Sequence, residues 1–373
     1  MMKKELTFRA GRLKSAVWLM FLSPALRLIP ARTARLCGKS MWISVIWSVP
    51  ILLLYVLFLR RLTTSADDGE GLASLIIRCL GEKGGRIIAA VFGVWFVVYC
   101  GFTLRAGAGR MITTVYPGAS PAVFIAVTAG LAFIASLGSE QRLMRCAGLI
   151  VPPVAAVLIF VLICACPSVD IDCLLPLSAY DVLYSSRGAL AAADAAVLPL
   201  YLSLFLAGGK GERTEGGFVL VIAMTALAFW INICIAGSFG AELTARLTQP
   251  FFVLVRNIVL FHTVERLEAV VVSLWVFSDF MLTSVCLFAS SSIFRLCMGK
   301  RCGYEGERAF DVNNGRWVIW LCALFAAVFA LVFAPTQDSL ILWSEKLIPY
   351  TNLLLAFAVL PLVYLIGRFR KAV

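Results

Sequence analysis

The chain alternates between long apolar blocks and short polar segments. Inside the blocks there is no period-2 alternation of the kind a membrane barrel strand needs. Nor is there the polar stripe that a helix on the surface of a soluble protein turns to water. A run of about 18 or more apolar residues is long enough to cross a bilayer as a helix. Ten blocks reach this length, over roughly 14–31, 41–59, 86–107, 120–137, 144–165, 187–206, 217–238, 268–291, 317–334 and 347–367. The pattern predicts an all-α polytopic membrane protein forming one transmembrane domain over 1–373. Segment 62–85 begins polar and turns amphipathic, which predicts a short helix stopping at Gly81 or Gly84.

Composition agrees with the pattern. The 373 residues are 61% hydrophobic and only 14% charged, with a mean hydropathy of +0.93, where a soluble domain keeps about a quarter of its residues charged. The net charge of +12 is read as loop arginine and lysine held on the cytoplasmic side, not as a nucleic-acid surface. With the N-terminus inside, most of the basic residues fall in inner loops, both termini are cytoplasmic, and the acidic loop 166–185 lies outside. Segment 32–39, with Arg32, Arg35 and Lys39, runs against this assignment. The 12 cysteines are scattered. Cys297 and Cys302 lack the further ligands that a zinc site of about four wants, so no metal or cofactor is expected. One histidine and no nucleophile paired with a base leave little for an enzyme to use.

Charge at bilayer depth is costly and marks function by default. Arg27 lies in the first block, Asp194 near the middle of the sixth and Asp279 near the middle of the eighth. The first and sixth blocks also carry prolines, at Ser23-Pro24 and at Pro199. A proline inside a helix removes one backbone hydrogen bond and disturbs its neighbours. Ten spans with breaks in the first and sixth give the plan of a secondary transporter: two inverted repeats of five helices (about 14–165 and 187–367), with broken helices 1 and 6 around a midplane site. On this reading Ser23, Pro24 and Ala25, with Ala192, Ala193 and Asp194, offer free main-chain groups to a ligand. Tyr99, Trp275 and Ser278 line the pocket, and Arg27, Asp194 and Asp279 are the intramembrane charges, Arg27 being one partner available to Asp279.

The stretch 249–280, QPFFVLVRNIVLFHTVERLEAVVVSLWVFSDF, resembles the signature region of the B subunits of spore germinant receptors, in the amino acid/polyamine/organocation permease superfamily. Pro250, Leu254, Arg256, Ile258, Glu265, Arg266, Glu268 and Trp275 carry the likeness. Residues 74–96 and 174–200 resemble the family's cytoplasmic helix with its third span and its fifth loop with its sixth span. Gln249 departs from the pattern, since the family has an aromatic there. By this resemblance 249–266 is an outer loop helix held by ion pairs among Arg256, Glu265, Arg266 and Glu268.

The resemblance implies a B subunit in the spore inner membrane. Such a subunit senses a small nutrient, an amino acid above all, and works with a larger A subunit and a lipoprotein C subunit. Two other readings share the fold: a proton- or sodium-coupled amino-acid permease, and a scaffold that binds no ligand and anchors the other subunits.

Overall fold

The computed structural model describes residues 2–65, 71–175, 177–206, 216–258, 267–299, 312–332 and 337–370. Each of the ten predicted blocks falls on helix, and no strand occurs among the described residues. The helices are α1 (Met2–Cys37), α2 (Met41–Thr64), α3 (Leu72–Leu80), α4 (Glu82–Thr114), α5 (Pro121–Ser136), α6 (Glu140–Ala165), α7 (Ala179–Tyr184) and α8 (Ala189–Ser203). They continue with α9 (Gly217–Arg246), α10 (Pro250–Arg256), α11 (Leu267–Cys297), α12 (Val312–Val332), α13 (Gln337–Leu342), α14 (Ile348–Leu354) and α15 (Leu360–Phe369). Six stretches among the described residues are long and apolar enough to cross a membrane; the first, Gly11–Thr64, holds both α1 and α2. One large apolar cluster links the bundle, with two small ones beside it, and many large apolar side chains face outward, including Leu149, Val219 and Phe325. That outward greasiness is what a lipid-facing surface requires.

The expected interruption of the first and sixth helices is not what the fold shows. α1 runs unbroken through Pro24 and Pro30, and α8 runs unbroken through Asp194 and Pro199. The reason is visible at Ser23. Its N–H and the carbonyl of Leu19 stand four residues apart and would bond to each other in a plain helix. Here the hydroxyl of Ser278 lies between them, accepting from Ser23 N–H at 2.9 Å and donating to Leu19 C=O at 2.6 Å. A side chain from α11 thus bridges the ladder just before the proline, so no free helix ends are exposed. α8 simply stops early: it ends in a turn at Leu204–Leu206, and the N–H of Leu72 at the start of α3 bonds Leu204 C=O at 3.3 Å.

A break does occur in α9, at Gly240, whose φ of 70° lies in the left-handed region that glycine adopts freely. α3 ends at Gly81 (φ 82°), as its sequence predicts, and packs tightly on α4. A Cβ added at Gly85 would sit 2.3 Å from the Cα of Ile77. α10 starts at Pro250, where the missing N–H costs nothing, and buries Phe251, Leu254 and Val255. It is shorter than the expected 249–266 helix; Glu265 and Arg266 lie outside the described residues, as does Cys302, and the side chain of Glu268 is not described.

α1 is the central rod. It packs against α6, α8, α9 and α11, while α4 packs against α5, α11 and α12.

Candidate functional site

Three clusters of polar side chains lie along α1, and each joins it to different helices. The first surrounds Asp279 on α11, 4% exposed. Ser23 Oγ–H donates to Oδ1 of Asp279, and Arg110 of α4 pairs with Oδ2. Trp275 Nε1–H donates to Ser23 Oγ at 3.0 Å, and the Arg110 guanidinium lies over the Trp275 ring at 4.1 Å. Phe251 of α10 meets the same indole edge-on at 6.2 Å. Gly107 makes room for the carboxylate, because a Cβ there would lie 3.0 Å from Oδ2. Both oxygens of the carboxylate are therefore partnered, as a charge held away from water must be.

Asp194 anchors the second cluster. Its Oδ2 accepts from Arg32 Nη1 at 2.9 Å and its Oδ1 from Asn352 Nδ2 at 3.0 Å. Asn352 Oδ1 in turn accepts from Trp95 Nε1 at 2.9 Å and lies 3.4 Å from the Tyr201 hydroxyl. One carboxylate thus ties α1, α8 and α14 together, with α4 reached through Trp95. Arg32 explains why segment 32–39 runs against the loop-charge pattern. It is not a loop residue but a helical one, 7% exposed, with an internal partner. Arg35 is likewise engaged: it pairs with Glu345 and donates Nε–H to Ala245 C=O at 2.8 Å.

The third cluster is a cleft of about 60 Å³ beside the second half of α1. Arg27, Arg32 and Arg35 line it together with Phe102 of α4. Gln249 lines it too, and Glu345 comes from the π-helical turn Trp343–Leu347 between α13 and α14.

Of the residues expected to form one midplane site, the fold brings Ser23, Trp275, Ser278 and Asp279 together. It places Asp194 in a separate network. Pro24 and Ala25 are buried in α1, Ala192 and Ala193 are buried in α8, and Tyr99 packs between Trp95 and Phe102. Arg27, named beforehand as one partner available to Asp279, does not pair with it; Arg110 does. Sequence reading missed Arg110 because the predicted span ended at 107, whereas α4 continues to Thr114. The small-residue run Gly107-Ala108-Gly109 just before it is the signal that could have found it. Asn352 was passed over because only charges were weighed, although an amide inside an apolar block also needs a partner.

These features describe an all-helical, multi-pass membrane protein of transporter type. A Na+-coupled sialic acid symporter, solved substrate-bound in an outward-open state, superposes with a TM-score of 0.62 at 13% identity, covering 94% of this chain and 79% of that one. At that identity the likeness concerns the fold. A sequence model of the spore permease family, described as spore germination protein, matches residues 15–338, and the chain belongs to this family. No curated protein sequence matches it.

Proposed function

We propose that this chain is the membrane-embedded B subunit of a spore germinant receptor, sensing a small nutrient in the spore inner membrane beside an A and a C subunit. Family membership over 15–338 carries the reading. The ligand acts by shifting a population, which requires different affinity for two arrangements of the bundle. α1 is the element to move. Through Ser23 it is bonded to α11, and through Arg32 to α8. Displacing it perturbs both networks at once.

The proposed architecture is ten spans in two inverted halves, termini inside: α1, α2, α4, α5 and α6 against α8, α9, α11, α12 and α14–α15. Support comes from packing that recurs in exchanged pairs. α1 on α9 mirrors α2 on α8; α4 on α12 mirrors α5 on α11; α1 on α6 mirrors α8 on α14. A pseudo-two-fold axis in the membrane plane produces this reciprocity. The contact of α1 with α11 has no counterpart of similar extent, and that is where Ser23 and Asp279 meet.

The test is germination. Spores lacking this chain should fail to respond to an equimolar mixture of the twenty L-amino acids, and spores complemented with the intact chain should respond. An unchanged response in the deletion strain would remove the proposal. The symporter fold favours a second reading, a coupled permease with Asp194 or Asp279 as coupling carboxylate. Sustained, gradient-driven amino-acid flux in proteoliposomes would establish it in place of the first.

A further inference from the structure

The cleft beside α1 contains polar atoms that the fold leaves without partners. Nε of Arg27, Nε and Nη2 of Arg32, and Oε1 of Gln249 are buried and accept or donate no hydrogen bond. Arg27 makes no ion pair among the described residues; its guanidinium rests over the Phe102 ring at 4.6 Å. Buried polar groups are nearly always satisfied, and leaving one unmade costs about 1–3 kcal/mol, more for a charged group. Three such side chains lining one cleft mark a place where something else supplies the partners.

The chemistry of the set is two-sided. Arg27 and Arg32 are donors with fixed positive charge, and guanidinium groups match carboxylate geometry. In the same cleft Gln249 offers an unpartnered carboxamide oxygen, and Glu345, already paired with Arg35, adds a carboxylate. A carboxylate alone would satisfy the arginines and leave Gln249 unpartnered; an ammonium alone would be repelled by them. A group with a carboxylate at one end and an ammonium at the other satisfies both. The volume of about 60 Å³ corresponds to roughly four to six waters at ~10–15 Å³ each, enough for an amino-acid main chain.

We infer that this cleft is the binding site for an α-amino acid, with Arg27 and Arg32 holding its carboxylate and Gln249 and Glu345 facing its ammonium. The inference rests on the nutrient-sensing reading and adds the place of the site and the residues that hold the ligand. It places the site about one turn and more along α1 from Ser23, in place of the helix breaks. Occupancy would act directly on Arg32, whose Nη1 holds Asp194, and so couple the cleft to α8.

The measurement is calorimetric titration of the purified full chain in phosphatidylcholine nanodiscs with the mixture of twenty L-amino acids. Two comparison titrants are the same amino acids as carboxamides, and inorganic phosphate. The free acids should bind; the amides and phosphate should bind at least tenfold more weakly. Arg27→Met, which breaks no ion pair among the described residues, should lose about 10- to 100-fold in affinity, the range of a hydrogen bond to a charged group. Gln249→Leu should lose less, and both variants should melt like the parent. The proposal is overturned if the free acids do not bind at 10 mM, if amides or phosphate bind equally well, or if Arg27→Met binds like the parent. Failure here is separable from failure of the receptor reading. Spores that need the chain but respond normally with Arg27→Met would discard the cleft and keep the receptor; a chain that binds the acids yet is dispensable for germination would do the reverse.

Discussion

Asp279 and Arg27 are both charges at bilayer depth, and the fold treats them in opposite ways. Around Asp279 every polar atom of the carboxylate is used: Ser23 on one oxygen, Arg110 on the other, with the indole of Trp275 closing the ring of contacts. Around Arg27 the guanidinium rests over an aromatic face, and Nε has no acceptor. A network closed at the carboxylate holds helices together, with Nη1 of Arg110 left without a partner. An open one, with Gln249 and Arg32 also left short of partners, waits for a molecule. An intramembrane charge is thus not by itself a ligand site; what separates the two cases is whether the protein has already satisfied it.

The largest expected effect comes from opening the closed side. Arg110→Ala removes the counter-ion of a carboxylate that is 4% exposed, and breaking a buried pair from one side costs about 3–5 kcal/mol. We expect low abundance in the membrane and a melting temperature far below the parent's. Replacing both partners, Arg110→Met with Asp279→Leu, should recover most of the loss, since the uncompensated charge causes it. If the single variant melts like the parent, the network is not structural and the contrast with Arg27 collapses.

A smaller effect is expected at Ser278, whose hydroxyl bridges Ser23 N–H and Leu19 C=O. Ser278→Ala should cost about 1–3 kcal/mol, the range for buried backbone groups left without a partner. Hydrogen exchange at the Ser23 amide should speed up. Unchanged exchange would mean that α1 closes its own ladder and that the bridge is incidental.

This bridge also marks where sequence reading succeeds and where it stops. Block lengths placed the helices, and Gly81 ended α3, because both follow from local chemistry. Ser23-Pro24 correctly signalled a disturbed ladder, since proline lacks an N–H. Whether that disturbance becomes a break depends on a hydroxyl 255 residues away, which no local pattern contains. Likewise Arg32 and Arg35 read as loop charges only because their partners, Asp194 and Glu345, come from helices far away in sequence. Gln249 was noticed as a departure from the family's aromatic, but its meaning needed the other residues of the cleft.

The smallest effect is expected at the rim, where Arg35 meets Glu345 with each side chain about a third exposed (34% and 33%). This pair has the chemistry of Arg110 and Asp279 but not their burial. Water screens it, and pairs of this kind contribute about 0–1 kcal/mol. Glu345→Gln should therefore shift the melting temperature only slightly, and by less at high salt than at low salt. Arg35 keeps its bond to Ala245 C=O, so the end of α1 stays tied to α9 after the substitution. If Glu345→Gln destabilised the protein as much as Arg110→Ala, burial would not be what sets the contribution of an ion pair along α1.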